Sequence, residues 1–338
     1  MTARNTSPVT EALSRSASAE GVRVSVAATI LSFNSKGTLA QAIQAIRSQS
    51  VKPDQILIVD NGSTDGSVPH IRALSGVSCI LLPENVGVGA GHNRSWSTVL
   101  ANPDFDFIWA LEHDSLPAPD CLERLLQTYG LFFRRGVPIA AVFPRQVHPG
   151  PADVQPKSVR EGMSPPLPHR WLPYENRSLN FNGVLLSTDA VRRVGPLRED
   201  FFIGHEDREY ALRLTEWGFA VLCDPLATVA HRNKGIRKRQ LPGVVRLYYG
   251  KRNEVYLNAY VRRPSLVRIR TLLRLAGAIL RTIIFEDQKL QRMHARIYAT
   301  CDGLRGSLGQ KAYTFLQETT GSPAPASAQD SRQDTWAL

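Results

Sequence analysis

The chain has 338 residues, 43% of them hydrophobic and 21% charged, a balance that supports a sizeable core and excludes disorder throughout. Its formal net charge of +11 calls for an anionic partner: nucleic acid, a phosphorylated ligand or an acidic membrane surface. The four cysteines, Cys79, Cys121, Cys223 and Cys301, are dispersed with no C-x-x-C pair. That spacing argues against a zinc site or a disulfide framework and fits a reducing cytosol.

Residues 1–21 are rich in Ser, Thr and Ala and lack the apolar stretch of a secretory leader, so a flexible tail is expected. No apolar run reaches the length of a membrane span. Val24 to Phe33 is an almost continuous apolar run, as expected of a strand buried on both faces. Lys36 to Ser48 has helical spacing, and Gln55 to Val59 is the next strand, ending at Asp60. The turn Asn61 to Gly66 (NGSTDG) follows. A helix over Val68–Leu74 and a strand over Ser78–Leu82 come next. Phe107 to Leu111 is a strand ending at Glu112, Ala118 to Leu131 a helix and Ile139 to Phe143 a strand. His148 to Tyr174 is proline-rich and reads as a long surface loop, functional or disordered. Leu179–Leu186 and Ala220–Cys223 read as strands, as does Ala227–Ala230, and Thr188–Val194 and Glu206–Trp217 as helices. From Tyr248 to about Gln310 the pattern is helical and basic, and the tail from Glu318 is expected to be disordered.

Strands alternating with helices predict an α/β fold with a mainly parallel sheet, which binds ligands at the carboxyl ends of its strands. Asp60 and Glu112–Asp114 fall at such ends. A carboxylate at Asp60 can accept hydrogen bonds from a nucleoside base or ribose. Asn85 to Asn93 contains Gly87-x-Gly89-x-Gly91 ahead of a helix, whose backbone N–H groups can approach a diphosphate. Glu112 and Asp114, two acids on one turn, can hold a divalent cation with positions open for phosphate oxygens. Glu206, Asp207 and Glu209 crowd three acids into one helical turn, which suits a general base, although an acidic first turn is also good helix electrostatics. His231, after an apolar strand, is a further ligand candidate.

In this order the motifs resemble those of glycosyltransferase family 2 over about Val24 to Lys234, in its rhamnosyltransferase and galactofuranosyltransferase branches. The residues carrying the resemblance are Leu31-Ser32-Phe33-Asn34, Val59 to Gly66, Asn85-x-Gly-x-Gly-x-Gly, Glu112-His113-Asp114, Gly204 to Leu214, His231 and Tyr248-Tyr249-x-x-Arg252-Asn253. The resemblance implies a GT-A fold, a Rossmann-like mixed sheet flanked by helices, with a helical C-terminal extension. It implies donor binding by Ser32, Asn34, Asp60, Asn61, Asn85, Gly87, Asn93, Arg94 and His113. A Mg2+ or Mn2+ ion would be held by Glu112, Asp114 and His231, Asp207 would be the general base with Glu206 beside it, and Glu209 and Phe202 would meet the acceptor. Glu112 stands where the family's metal motif usually begins with Asp, so Asp114 is the safer ligand. The expected donor is dTDP- or UDP-linked, with rhamnose or galactofuranose favoured, and the acceptor a glycan or glycolipid at the cytoplasmic face.

The expected boundaries are a tail over 1–21, a catalytic domain over 22–247, a basic helical extension over 248–317 and a tail over 318–338. Leu266 to Ile284 mixes arginines with apolar residues, as in helices that lie on anionic membranes or pack on a domain. The rivals are a nucleotidyltransferase or other nucleotide-sugar enzyme, a catalytically silent relative, and a nucleic-acid-binding protein. The last is disfavoured, because the basic stretches lack the interleaved aromatics of single-strand binders.

Overall fold

The structure, a computed structural model, describes residues 24–147, 181–231, 243–261 and 264–311. The expected N-terminal tail, the loop over 148–174 and the tail from 318 lie outside the described residues. The chain divides into two compact units. The first holds the described residues up to Arg198 together with those from Glu206, through His231; the second holds Glu199–His205 and the described residues from 243 onward.

The first unit is built on one eight-stranded sheet, in the order β3-β2-β1-β4-β7-β6-β8-β5. The strands are β1 (Val26–Ser32), β2 (Gln55–Asp60), β3 (Ser78–Leu81), β4 (Phe107–Glu112), β5 (Ser115–Pro117), β6 (Ile139–Val147), β7 (Val184–Ser187) and β8 (Ala220–His231). The pairs β1–β2, β1–β4, β2–β3 and β6–β8 are parallel, while β7 is antiparallel to β4 and β6, and β5 to β8. All the strands except β5 and β7 therefore run the same way, and their carboxyl ends share one edge. The sheet is mixed and mostly parallel, as expected.

The continuous apolar runs are explained by layers on both faces. Alternate residues of a strand point to opposite sides. Val26, Ala28 and Ile30 of β1, Ile56 and Ile58 of β2 and Phe107, Trp109 and Leu111 of β4 pack with helices α1 (Leu39–Arg47) and α4 (Cys121–Phe133). Ala27, Leu57, Ile108 and Ala110 face the other way, against α3 (Val88–Ala101), α5 (Thr188–Val194) and α6 (Glu206–Glu216). A short helix α2 (Ser67–Arg72) links β2 to β3. Burial of this kind contributes roughly 25 cal/mol per Å2 of apolar surface.

Two elements differ from the sequence expectation. Ala220–Cys223 and Ala227–Ala230 join in the single strand β8, whose register against β6 slips between Pro144 and Arg145. Asp224 bridges the slip: its Oδ1 accepts from the N–H groups of Leu226 (2.8 Å) and Ala227 (3.2 Å), and its Oδ2 from Thr128 Oγ1 (2.7 Å). The Asp-Pro pair reads as a break in sequence and is a bulge in space. The short strand β5 was not anticipated. It pairs with β8 at the far end of the sheet, although only His113 and Asp114 separate it from β4. Four strand spacings on a flat sheet amount to about 19 Å, whereas the backbone from 112 to 115 reaches roughly 10 Å. The sheet must therefore curl until its β8–β5 edge returns to the end of β4.

The second unit contains helices α7 (Gly243–Val261), α8 (Pro264–Phe285) and α9 (Lys289–Arg305). Val244, Val245, Tyr248 and Tyr249 pack with Ala295 and Ala299 and with Phe202. Asn253 Nδ2 donates to the carbonyls of Phe201 (2.9 Å), Ile203 (3.1 Å) and Gly204 (2.7 Å), and Arg252 donates to those of Asp200, Phe201 and Gly309.

One core residue has a measurable pH signature. His92 in α3 is fully buried against Trp96 and Phe181, and neither ring nitrogen has a hydrogen-bond partner. Burial pushes its pKa down to about 3, so it is neutral when folded, while the unfolded chain takes up a proton near pH 6.5. The unfolded state then binds more protons between those values, and stability falls as pH drops through that window. The expected slope from this one group is about 1.4 kcal/mol per pH unit. Urea denaturation at pH 7 and pH 5 should show that extra loss in the wild type and not in His92→Leu.

Candidate active site

Three adjacent parallel strands deliver the first acids. Register places Ser32 beside Asp60, and Leu31 beside Glu112, so Asp60 and Glu112 lie two strand spacings apart, about 10 Å. Asp60 is fully buried, and its carboxylate accepts from the backbone N–H (2.9 Å) and the hydroxyl of Ser63. Ser63 also receives the N–H of Asn34 (2.8 Å), while Asn34 Oδ1 accepts from Thr64 N (2.9 Å). Asn34 holds φ 49°, a left-handed conformation that Asn tolerates better than most residues. The β1 and β2 ends are thus stitched into one platform. Ser32, also buried, bonds the Ser35 hydroxyl (2.7 Å).

The glycine-rich loop is tied to the same platform. Asn61 Nδ2 donates to Asn85 Oδ1 (3.1 Å) and to the Gly87 carbonyl (3.1 Å), and Asn61 Oδ1 accepts from Val86 N (3.0 Å). Asn85 Oδ1 also accepts from Gly87 N (2.9 Å). Asn61 and Asn85 therefore shape the loop with their side chains.

The second group of acids owes its convergence to the curl. Glu112 ends β4, Asp114 follows, and β5 pairs Ser115 with His231 at the end of β8. One ligand atom each from Glu112, Asp114 and His231 lies within 4.8 Å of the others. His231 Nε2 sits 2.8 Å from Asp114 Oδ2 and 3.6 Å from Glu112 Oε2. Asp114 and His231 are buried and Glu112 is half-buried. The supports of this group are residues that the sequence reading did not single out. Ser115 Oγ accepts from Glu112 N (3.0 Å) and donates to Asn182 Oδ1 (2.8 Å). Thr38 Oγ1 is 2.8 Å from Nδ1 of His113, which is itself buried. Ser115 was visible as the neighbour of Asp114; Thr38 and Asn182 are brought in by tertiary structure alone.

Helix α6 carries Glu206, Asp207 and Glu209 in its first turn. Asp207 is half-buried, and its Oδ1 accepts from Arg208 N at 2.7 Å. Glu206 is buried.

Three of the expected ligand residues have partners within the protein. Asn93 is buried and bonds the Leu197 backbone through both ends of its amide, at 2.9 and 3.0 Å, so it braces α3. Glu209 gives both carboxylate oxygens to Arg213, each at 3.0 Å, while Arg213 continues to the carbonyls of Val194 and Pro196 and covers the Tyr210 ring. Phe202 is buried with its ring 4.8 Å from that of Tyr249. Arg94, by contrast, is exposed.

A curled, mostly parallel sheet flanked by helices, with acids at the carboxyl ends of its strands, is a GT-A fold. The model of the family described as glycosyl transferase family 2 matches residues 28–148. That stretch carries most of β1 and everything through β6, with both acids of the 112–114 turn, and over it the chain is similar to glycosyltransferase family 2. A curated relative, the dTDP-rhamnosyl transferase RfbF of Shigella flexneri, is 29% identical over 150 residues, 42% of this chain and 50% of that protein. The chain thus aligns with about half the length of this relative. Among solved structures, TarS of S. aureus has a TM-score of 0.50 at 13% identity, over 83% of this chain and 49% of that one, a likeness of fold. The mannosyltransferase PcManGT from Pyrobaculum calidifontis, solved in complex with GDP-Man and Mn2+, has a TM-score of 0.49 at 14% identity, over 83% and 87% of the two chains.

The platform makes one glycine indispensable. Gly62 has φ +73°, and a Cβ there would come within 2.4 Å of the Glu84 carbonyl carbon. Gly62→Ala should destabilise the protein by roughly 1–3 kcal/mol through backbone strain, read as a lower urea midpoint. Gly37→Ala, where a Cβ meets nothing within 4 Å, is the control and should leave the midpoint nearly unchanged.

Proposed function

We propose that the chain is an inverting, metal-assisted glycosyltransferase, moving a sugar from a nucleotide-diphosphate sugar to a hydroxyl of a cell-surface polysaccharide or lipid-linked glycan. The observation that carries this reading is the convergence of Glu112, Asp114 and His231 at the carboxyl edge of the sheet, on the same edge as Asp60. The donor set, two carboxylates and one imidazole, fits Mg2+ or Mn2+, and the nitrogen ligand favours Mn2+ over Mg2+. When bound, such an ion supplies charge neutralisation to a departing diphosphate.

The chain's own residues divide the remaining work. Asp60, held by Ser63, receives the donor's nucleoside, and the loop from Asn85 presents backbone N–H groups toward the diphosphate. Ser32, Asn34 and His113 line the platform, and Arg94 adds an exposed positive charge. Asp207 takes the proton of the acceptor hydroxyl as that oxygen bonds to the anomeric carbon. The bond from that carbon to the diphosphate breaks on the opposite face, and the electron pair leaves with the nucleoside diphosphate, so the configuration inverts. Glu206, buried and next to Asp207 in the first turn of α6, stands beside that base.

The similarity to a dTDP-rhamnosyl transferase favours a dTDP-rhamnose donor, with UDP-galactofuranose next. We assign the protein to the cytoplasmic face of the membrane, where nucleotide sugars and a lipid-linked acceptor meet.

Thermal shift with dTDP, UDP, GDP and their sugars, with and without Mn2+, tests the donor site. One nucleotide class should raise the melting temperature, more so with metal, and Asp114→Ala should remove the metal increment. Asp207→Asn should lower transfer by about 10^2–10^4-fold while leaving the nucleotide shift in place. Stabilisation by no nucleotide, in a folded sample, would sink the proposal.

A further inference from the structure

Helix α8 is apolar on both its inward and its outward side. Its buried and half-buried positions are Thr271, Leu275, Ala278, Ile279, Thr282 and Glu286, at helical spacing along one face. Thr282 is fully buried, donates to the Ala278 carbonyl (2.9 Å) and accepts from Arg296 Nε of α9 (3.0 Å). Arg296 Nη2 bonds both oxygens of Glu286, at 2.8 and 3.0 Å. The inward side, which carries Leu275, Ala278 and Ile279 as well as these polar groups, is thereby secured against α9. The opposite side exposes Leu272, Leu273, Leu280, Ile283, Ile284 and Phe285, with Leu273 69% and Phe285 79% exposed. A soluble helix normally shows a polar side to water; this one shows a second apolar stripe. Clustered large apolar side chains on a surface mark an interaction site.

The charges on the helix indicate the occupant. Between Pro264 and Phe285 the sequence has four arginines, at 268, 270, 274 and 281, and no aspartate or glutamate. Arg274 and Arg281 are exposed among the apolar residues. Lys289 and Leu290, exposed at the start of α9, continue the same composition. A second copy of this face would set arginine against arginine with no acid of the stripe to answer it. A surface that is apolar below and anionic above satisfies both parts, because leucine and isoleucine enter the acyl boundary while arginine stays at the headgroups. No helix among the described residues is long and apolar enough to cross a membrane, so the helix would lie in the interface.

We infer that the outer face of α8, centred on Leu273, Leu280 and Ile284 and flanked by Arg274 and Arg281, docks the protein on anionic lipid. This deepens the membrane-facing part of the proposed function, and on that reading it would hold the enzyme where a lipid-linked acceptor is presented.

Vesicle flotation with the full chain tests it, using phosphatidylcholine vesicles with and without 30% phosphatidylglycerol by design, since roughly a third of anionic lipid gives a usable surface potential. The protein should float with the anionic vesicles and remain behind with neutral ones. Leu273→Glu with Ile284→Glu should abolish flotation, and Arg274→Glu with Arg281→Glu should weaken it by about tenfold or more, with circular dichroism confirming that both variants fold. Raising the salt should weaken binding as well. Equal binding to neutral vesicles would overturn the anionic assignment. Absence of flotation, or a stable dimer in analytical ultracentrifugation that Ile284→Glu dissociates, would overturn lipid docking. The nucleotide thermal shift, run on the same samples, separates the two readings: donor stabilisation without flotation defeats only the docking face, and flotation without donor stabilisation defeats only the transferase.

Discussion

The shortness of the link between β4 and β5 is the constraint on which the first unit depends. His113 and Asp114 alone join strands that stand at the middle and the end of the sheet order. A flat sheet cannot meet that condition, so the sheet closes on itself until the end of β8 stands beside the end of β4. The same closure brings His231 to Asp114. The residues of the link are also candidate functional residues, so the turn that shapes the sheet and the turn that could hold an ion are one object. Substitutions there should be read with both consequences in mind.

Burial at this edge is expensive in electrostatic terms. Asp60, Asp114 and His231 are almost wholly removed from solvent, and an isolated buried carboxylate costs several kcal/mol. Asp60 is answered by the two donors of Ser63. Asp114 is answered by the imidazole of His231 at 2.8 Å, with which, in the proposed enzyme, it would share an ion. In the proposed enzyme, ligands preorganised in this way would need little rearrangement on binding. Ser115, Asn182 and Thr38 fix the backbone and the histidine of the turn, the role that outer groups play around metal sites generally.

The central strands and the acids at their ends were legible in the sequence because both leave a local mark. Val26 to Ser32 and Phe107 to Leu111 are apolar on both faces since helices cover both, and Asp60 and Glu112 interrupt such runs at their carboxyl ends. What was not legible depends on partners distant in the chain. The bulge at Asp224-Pro225 looks like a strand break, because its repair by Thr128 lies 96 residues away. Asn93, Glu209 and Phe202 carry side-chain types that suit a ligand site, and nothing local announces that Leu197, Arg213 and Tyr249 engage them. The helical periodicity of α8 was visible, but not which side faces inward. A pattern gives the stripe, and only the packing of Thr282 and Glu286 on Arg296 gives its direction.

The turn preceding the acidic helix shows how a strained segment is held. Phe202, Gly204 and His205 all have positive φ, at 59°, 86° and 70°, and a non-glycine residue in that region costs about 1–3 kcal/mol. Two such residues within four positions would not persist in an exposed loop. Here the carbonyls of Asp200, Phe201, Ile203 and Gly204 are collected by Arg252 and Asn253 of α7, and hydrogen bonds from a charged group contribute roughly 1.5–3 kcal/mol each. Arg252 is fully buried and also covers the Tyr249 ring at 4.9 Å, so it has no alternative partner in water. The chain passes from this over-determined turn directly into Glu206 and Asp207. The conformation of this turn is therefore fixed within the second unit, by contacts that α7 makes to its backbone carbonyls.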